Sequence, residues 1–233
     1  MHIAEQMPLF KTTVRMLDLG ADKMLSYVNS YQEDNPQLGI RGIRYLLKNP
    51  DLFHRHLKAV LCACKKMPLR ILIPFVSSVN DVVRALEHIQ SVAQEEKIDR
   101  SRYTIGMMVE VPSVALDPES YFPYIDFISI GTNDLLQYIF AADRDETAIE
   151  EYRQQSHPVI LKIIRHIATV ASKESKEVMV CGEMASNPEL ALLLIGLGVR
   201  NLSMQPSSIS AVRNVIQHAS ISNLTKQAEH VLA

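Results

Sequence analysis

Glycine is scarce in this chain, with eight in 233 residues. The few present never assemble into GxGxxG or a Walker A loop, which excludes the glycine-rich phosphate cradles of dinucleotide-binding and P-loop proteins. Cysteine is scarcer: there are three, an odd number, and only Cys62 and Cys64 lie close together. That argues against a disulfide framework and for a reducing compartment. Two apart on a helix, those thiols point to different faces and lack a second ligand pair, so they do not make a zinc site. The eight histidines, His54 and His56 among them, show no HExxH spacing and read as surface or capping residues. Neither sign of charge dominates, since 24 basic against 26 acidic residues leave a net charge of −2. This offers no basic surface to nucleic acid or to an anionic membrane. No run approaches the roughly eighteen apolar residues that span a bilayer, and MHIAEQMPLFKTTVRMLDLG lacks a signal peptide's apolar stretch. The expectation is a cytoplasmic protein.

What the chain does have is 47% hydrophobic residues, enough for a sizeable core, arranged as alternating strand-like and helix-like segments. That is the pattern of a parallel sheet with crossover helices. Strands are expected at Thr12–Leu19, Leu69–Val76, Thr104–Val109, Ile125–Ile130, Val178–Cys181 and Asn201–Met204, with a weaker one at Ile40–Tyr45. Helices are expected at Pro50–Lys65, Asn80–Lys97, from Asp134, and at Pro158–Ser172, Pro188–Leu197 and Ser207–His218. Counting the weak one, there are seven strands, whereas a closed α/β barrel needs eight.

Ile128–Arg144, ISIGTNDLLQYIFAADR, draws the eye because an apolar strand there stops in a polar cluster and turns into a helix. Thr132 or Asn133 could be an ordinary N-cap, yet three oxygen-bearing side chains in a row at a strand's C-terminal end is where α/β proteins place ligands. Polar residues recur at other strand ends: Arg15, Arg41, Arg44, Arg70, Glu110, and Cys181 with Glu183. If the strands are parallel, these ends share one face. Guanidinium groups grip phosphate and carboxylate oxygens bidentately, and two carboxylates plus substrate phosphate suit Mg²⁺. Together they describe a site for a small phosphorylated acid with a metal ion. Structural readings stand beside this. Arg15 could pair with Asp18 or Asp22, Arg44 and Arg70 read better as snorkelling stems or structural ion pairs, and a lone buried Cys181 reads as a small core residue.

Six motifs in one order carry a resemblance: VRMLDLGADKML, EDNPQLGIRGIRYLL, LRILIPFVSSVNDV, GMMVEVPS, DFISIGTNDLLQYIFAADRD and VMVCGEMASNPELALLLIGLGV. They resemble the phosphoenolpyruvate-utilising enzymes, above all the C-terminal phosphoenolpyruvate-binding domain of enzyme I of the bacterial phosphotransferase system or its nitrogen-related paralogue. The resemblance implies a TIM-type (β/α)8 barrel over residues 1–233, lacking its first strand, with the phosphohistidine and carrier-docking domains absent. It implies that Arg15, Arg41, Asn133 and Arg144 bind phosphoenolpyruvate, that Glu110 and Asp134 bind Mg²⁺, and that Cys181 protonates the enolate to give pyruvate. Phosphate would pass to a histidine on a separate domain and on to a small histidine-containing carrier protein, so the chain alone would be inactive. A homodimer is implied as well. The alternatives are a silent phosphoenolpyruvate-sensing or dimerisation module, and a relative of the dikinases and synthases. Ala21, Val111 and Gln205-Pro206 depart from the family's pattern without removing an expected ligand.

Overall fold

The computed structural model describes residues 12–19 and 33–232. Six strands are found among them: β1 (Thr12–Arg15), β2 (Leu69–Ile73), β3 (Tyr103–Val109), β4 (Phe127–Gly131), β5 (Glu177–Cys181) and β6 (Asn201–Ser203). Their helices are α1 (Gly42–Lys48), α2 (Pro50–Cys64), α3 (Val79–Glu95), α4 (Pro112–Leu116), α5 (Thr132–Phe140), α6 (Pro158–Lys173), α7 (Glu183–Ser186), α8 (Pro188–Gly196), α9 (Pro206–Gln217) and α10 (Ile221–Leu232). The strands hydrogen-bond in chain order, β1 to β6, within one sheet. The pairs β1–β2, β2–β3 and β5–β6 run parallel, with Thr12 opposite Leu69, Leu69 opposite Tyr103 and Met179 opposite Asn201. Parallel strands in chain order with helices between them are the arrangement of a TIM-type barrel wall, here with six strands described.

Two compact units make up the chain, one of residues up to 108 with 123–127, the other of 109–122 with residues from 128 onward. In the first, β2 is buried along its whole length, as the apolar run LRILI requires. Phe53, Leu57, Leu61 and Cys64 bury one stripe of α2, and Val82, Ala85, Ile89 and Val92 bury one stripe of α3. The entry of α3 is fixed by a capping box in which the Ser78 hydroxyl accepts from Asp81 N–H and Asp81 accepts from Ser78 N–H. That cap lies two residues before the expected start at Asn80, and the helix it begins turns Val82 and Ala85 inward. In the second unit, α6 buries Ile160, Leu161, Ile164 and Ile167. Helix α10, which no periodic pattern announced, lies so close to α8 that a Cβ at Gly196 would fall 2.3 Å from the Leu224 carbonyl oxygen.

The expected strand at Ile40–Tyr45 is instead the start of α1. Ile43, Leu46 and Leu47 are all buried, a 3-and-4 spacing that a six-residue window of alternation cannot distinguish from a strand. The strand expected to reach Leu19 ends at Arg15, though Met16 N–H still reaches the Leu72 carbonyl at 2.9 Å. The position preceding β1, where the family's first strand belongs, and the turn residue Ala21 lie outside the described residues.

On the first unit's surface, Glu96 accepts from Lys58 at 2.6 Å, Lys65 at 3.4 Å and the Cys62 thiol at 3.3 Å. The Lys58 ammonium leads in holding its carboxyl down at about 2, against an ordinary 4.5. A carboxyl depressed in the folded state stabilises fully above its unfolded value, and that contribution is lost as pH falls through the folded one. The stability advantage of wild type over Glu96→Gln should therefore be constant above about pH 4.5 and shrink between there and pH 2, measured by thermal unfolding at each pH. A second change probes packing. A Cβ at Gly106 would sit 2.4 Å from the Phe127 ring, whose face is covered by the Arg70 guanidinium at 3.8 Å. Gly106→Ala should cost about 1–3 kcal/mol in denaturant titration.

Candidate active site

The first unit gathers its polar residues around one carboxylate. Arg15 closes β1, and Arg41 is the extended residue before α1. The Asp18 Oδ2 atom accepts from Arg15 Nη1 and from Arg41 Nη2, each at 3.1 Å. Both expectations for Arg15 meet here, since it stands at a strand end and it pairs with Asp18. The two arginines differ in setting: the Arg15 side chain is 48% exposed and that of Arg41 is 4% exposed. Arg41 also donates to Gln37 Oε1 at 2.7 Å, and its guanidinium lies 4.5 Å from the Phe75 ring centroid.

Arg44 covers the same ring at 4.9 Å and donates to the carbonyls of Leu38 and Gly39 and to Ser77 Oγ. Its bonds are to backbone and to Ser77, the residue before the Ser78 cap of α3, which makes it the structural arginine the sequence favoured. Arg70, buried over Phe127, fits the same reading. Gly42 follows Arg41 at φ +54°, and a Cβ there would lie 2.4 Å from Phe75 Cβ. Only glycine lets α1 begin against that ring.

In the second unit, Glu110 directly follows β3, and Asp134 sits in the first turn of α5. Both carboxylates are nearly inaccessible, at 1% and 7% exposure. Arg144 Nη1 stands 3.4 Å from each Asp134 oxygen. Gln137 fixes that pairing, because its buried Oε1 accepts from Arg144 N–H at 3.0 Å, while the left-handed Ala141 closes α5 and starts the turn back. Nothing in the sequence singled out Gln137; a polar residue one helical turn after Thr132 and Asn133 is the available signal.

Thr132 and Asn133 are not caps. Gly131 holds the cap position of α5 with no side-chain cap bond. The Thr132 hydroxyl donates instead to the Cys181 carbonyl at 3.1 Å, and Asn133 Oδ1 accepts from Glu183 N–H at 3.4 Å. Gly182, at φ +108°, passes so near that a Cβ would meet Thr132 Oγ1 at 2.9 Å and Asn133 Oδ1 at 3.0 Å. The Cys181 thiol donates to the Ile130 carbonyl and accepts from the Ser129 hydroxyl, both at 3.4 Å. Cys181 is thus hydrogen-bonded at a strand end and half-buried, unlike the core residue its pattern alone suggested.

The other thiols have a different character. Glu96, accepting from Cys62, pushes that thiol up, and burial pushes Cys64 up, so both keep their protons. His157 caps α6 by accepting from Val159 N–H, as the histidines were expected to do. His56 departs from that expectation: among the described residues its buried Nδ1 has no hydrogen-bond partner, and burial lowers its pKa.

Glu110 and Asp134 supply hard carboxylate oxygens within one unit, a donor set that fits Mg²⁺. Among the described residues no cluster of three or more His, Cys, Asp or Glu could hold a metal ion. An ion here would need substrate and water oxygens as its remaining ligands. No helix of the described residues is long and apolar enough to cross a membrane.

Residues 1–221 match the family described as PEP-utilising enzyme, PEP-binding domain. Among similar curated proteins are the multiphosphoryl transfer protein of Xanthomonas campestris pv. campestris, 39% identical over 94% of this chain and 26% of that protein, and the phosphoenolpyruvate-protein phosphotransferase of Priestia megaterium, 36% identical over 99% of this chain and 41% of that protein. A Salmonella typhimurium protein named phosphoenolpyruvate-dependent phosphotransferase system is 40% identical over 88% of the chain and 28% of its own length. The chain therefore spans between a quarter and two fifths of these relatives. Among solved structures, a citrate lyase from Burkholderia xenovorans LB400 matches with a TM-score of 0.54 at 14% identity, covering 99% of this chain and 76% of that one.

Thr132 is fully buried, so Thr132→Val keeps its volume and removes one hydrogen bond. Denaturant titration should show a loss of about 1 kcal/mol.

Proposed function

Because this chain belongs to the PEP-binding domain family of the PEP-utilising enzymes, we propose that it binds phosphoenolpyruvate and carries one half of a phosphoryl transfer to a protein histidine. The observation that carries the proposal is the Asp134–Arg144 pair. It sets a nearly buried carboxylate, able to face a divalent ion, against a guanidinium able to face the anion that such an ion would accompany. Arg15, Arg41, Asn133 and Arg144 are the residues proposed to bind phosphoenolpyruvate, the guanidinium groups through its phosphate and carboxylate oxygens and Asn133 through its amide. The phosphorus–oxygen bond to the enol breaks as the phosphoryl group moves to a histidine nitrogen. The enolate then takes a proton at its terminal carbon from the Cys181 thiol, leaving pyruvate and a thiolate. Glu110 and Asp134 would hold Mg²⁺, which when bound neutralises charge on the transferring group.

The names of the relatives support this reading, all three being transfer or phosphotransferase proteins. The acceptor histidine and the small carrier protein that takes the phosphate onward lie on other domains or chains in this proposal, and two copies of the domain associate. It operates in the cytoplasm, where phosphoenolpyruvate is available.

Calorimetric titration of phosphoenolpyruvate into the chain, with and without Mg²⁺, tests the proposal, with Asp134→Ala as comparison. Metal-dependent binding should appear in the wild type and weaken at least about tenfold in the variant. A folded wild-type chain that takes up no phosphoenolpyruvate under either condition would overturn it.

A further inference from the structure

We infer that Asp18 is a positioning residue that presents Arg15 and Arg41 together as one anion-gripping unit, an inference resting on the reading of those arginines as phosphoenolpyruvate contacts. One oxygen, Oδ2, takes both guanidinium groups at 3.1 Å. The residues bridged come from different places in the chain, the end of β1 and the entry to α1, twenty-six positions apart. Asp18 is itself only 5% exposed, so its carboxylate has little freedom to follow solvent.

Three further contacts make it a fixed point. Arg41 is held by Gln37 Oε1 and by the Phe75 ring. Gly42 N–H, next to Arg41, donates to the Leu19 carbonyl, next to Asp18, at 3.2 Å. Arg15, by contrast, has a side chain 48% exposed, and long exposed side chains lose rotamer entropy when they bind. A buried anchor that already holds the exposed cation is an arrangement that reduces that loss.

The second Asp18 oxygen gives an independent observation. Among the described residues Oδ1 is buried and has no hydrogen-bond partner, a costly state for a carboxylate. A carboxylate serving only to neutralise buried Arg41 gains nothing from sharing its single bonded oxygen with exposed Arg15.

Positioning and simple charge balance predict opposite signs, which makes the inference testable. If Asp18 only offsets positive charge, Asp18→Asn raises the local positive charge and tightens anion binding. If it positions the arginines, the same change weakens binding. Phosphoenolpyruvate with Mg²⁺ is titrated into the whole wild-type chain and into Asp18→Asn, well below the unfolding temperature of each. The expected result is a loss of about tenfold in affinity for the variant. Equal or tighter binding by Asp18→Asn overturns the positioning role alone. Absence of binding by the folded wild type overturns the phosphoenolpyruvate reading and this inference with it. Should Asp18→Asn fail to fold, Asp18→Glu keeps the charge that Arg41 needs and moves the carboxylate by one methylene, and the same loss is expected.

Discussion

A polar group left unpartnered inside a strand that is buried along its whole length costs free energy, so each one either finds a partner, as Arg70 does over the Phe127 ring and Ser129 does at the Cys181 thiol, or sits at the strand's end. That constraint orders this chain. Strands β2 and β4 are buried at every residue, and the site candidates lie at strand ends or in the loops and helix starts that follow them, each tied to a neighbour. Arg15 meets Asp18, Asp134 meets Arg144, and the Thr132 hydroxyl meets the Cys181 carbonyl. Polar satisfaction and chemical capability are here the same set of contacts, which is why the residues read as site candidates also hold their loops in shape.

Much of this was legible in the sequence for a physical reason. Runs such as LRILI and FISIG are too apolar to lie anywhere but in a core, and the helices between them show 3.6-residue periodicity, so class and strand positions followed. Short windows failed where two periods coincide, as at Ile43–Leu47, and where a cap outweighed a pattern, as when Ser78 and Asp81 moved the start of α3. Helix α10 escaped because its buried face is small, Leu224 and Ala228. At the site, residue types were legible and partners were not. Asp18 could be named as a partner for Arg15, but its second bond to Arg41 spans a sequence distance that no local pattern reports. Gln137 and Ser129 act through hydrogen bonds to backbone or to sulfur and leave no periodic trace.

The citrate lyase with a TM-score of 0.54 shares only 14% of residues. Strand order and helix placement are preserved by any sequence that buries the right faces, whereas a GTND turn followed by an arginine ten residues on is a demand about chemistry. The two kinds of likeness therefore speak to different questions: the remote one to how the chain packs, the closer ones to the family it belongs to.

The bond from the Thr132 hydroxyl to the Cys181 carbonyl, with Asn133 accepting from Glu183 N–H and Gly182 pressed against both side chains, has a mechanical meaning. Two loops that are fifty residues apart in the chain are fastened at three points, so neither can shift without dragging the other. The thiol and the amide that flank this fastening share one frame of reference. Thermal motion that displaces one would carry both in step, and a ligand touching either would feel the stiffness of the two loops combined.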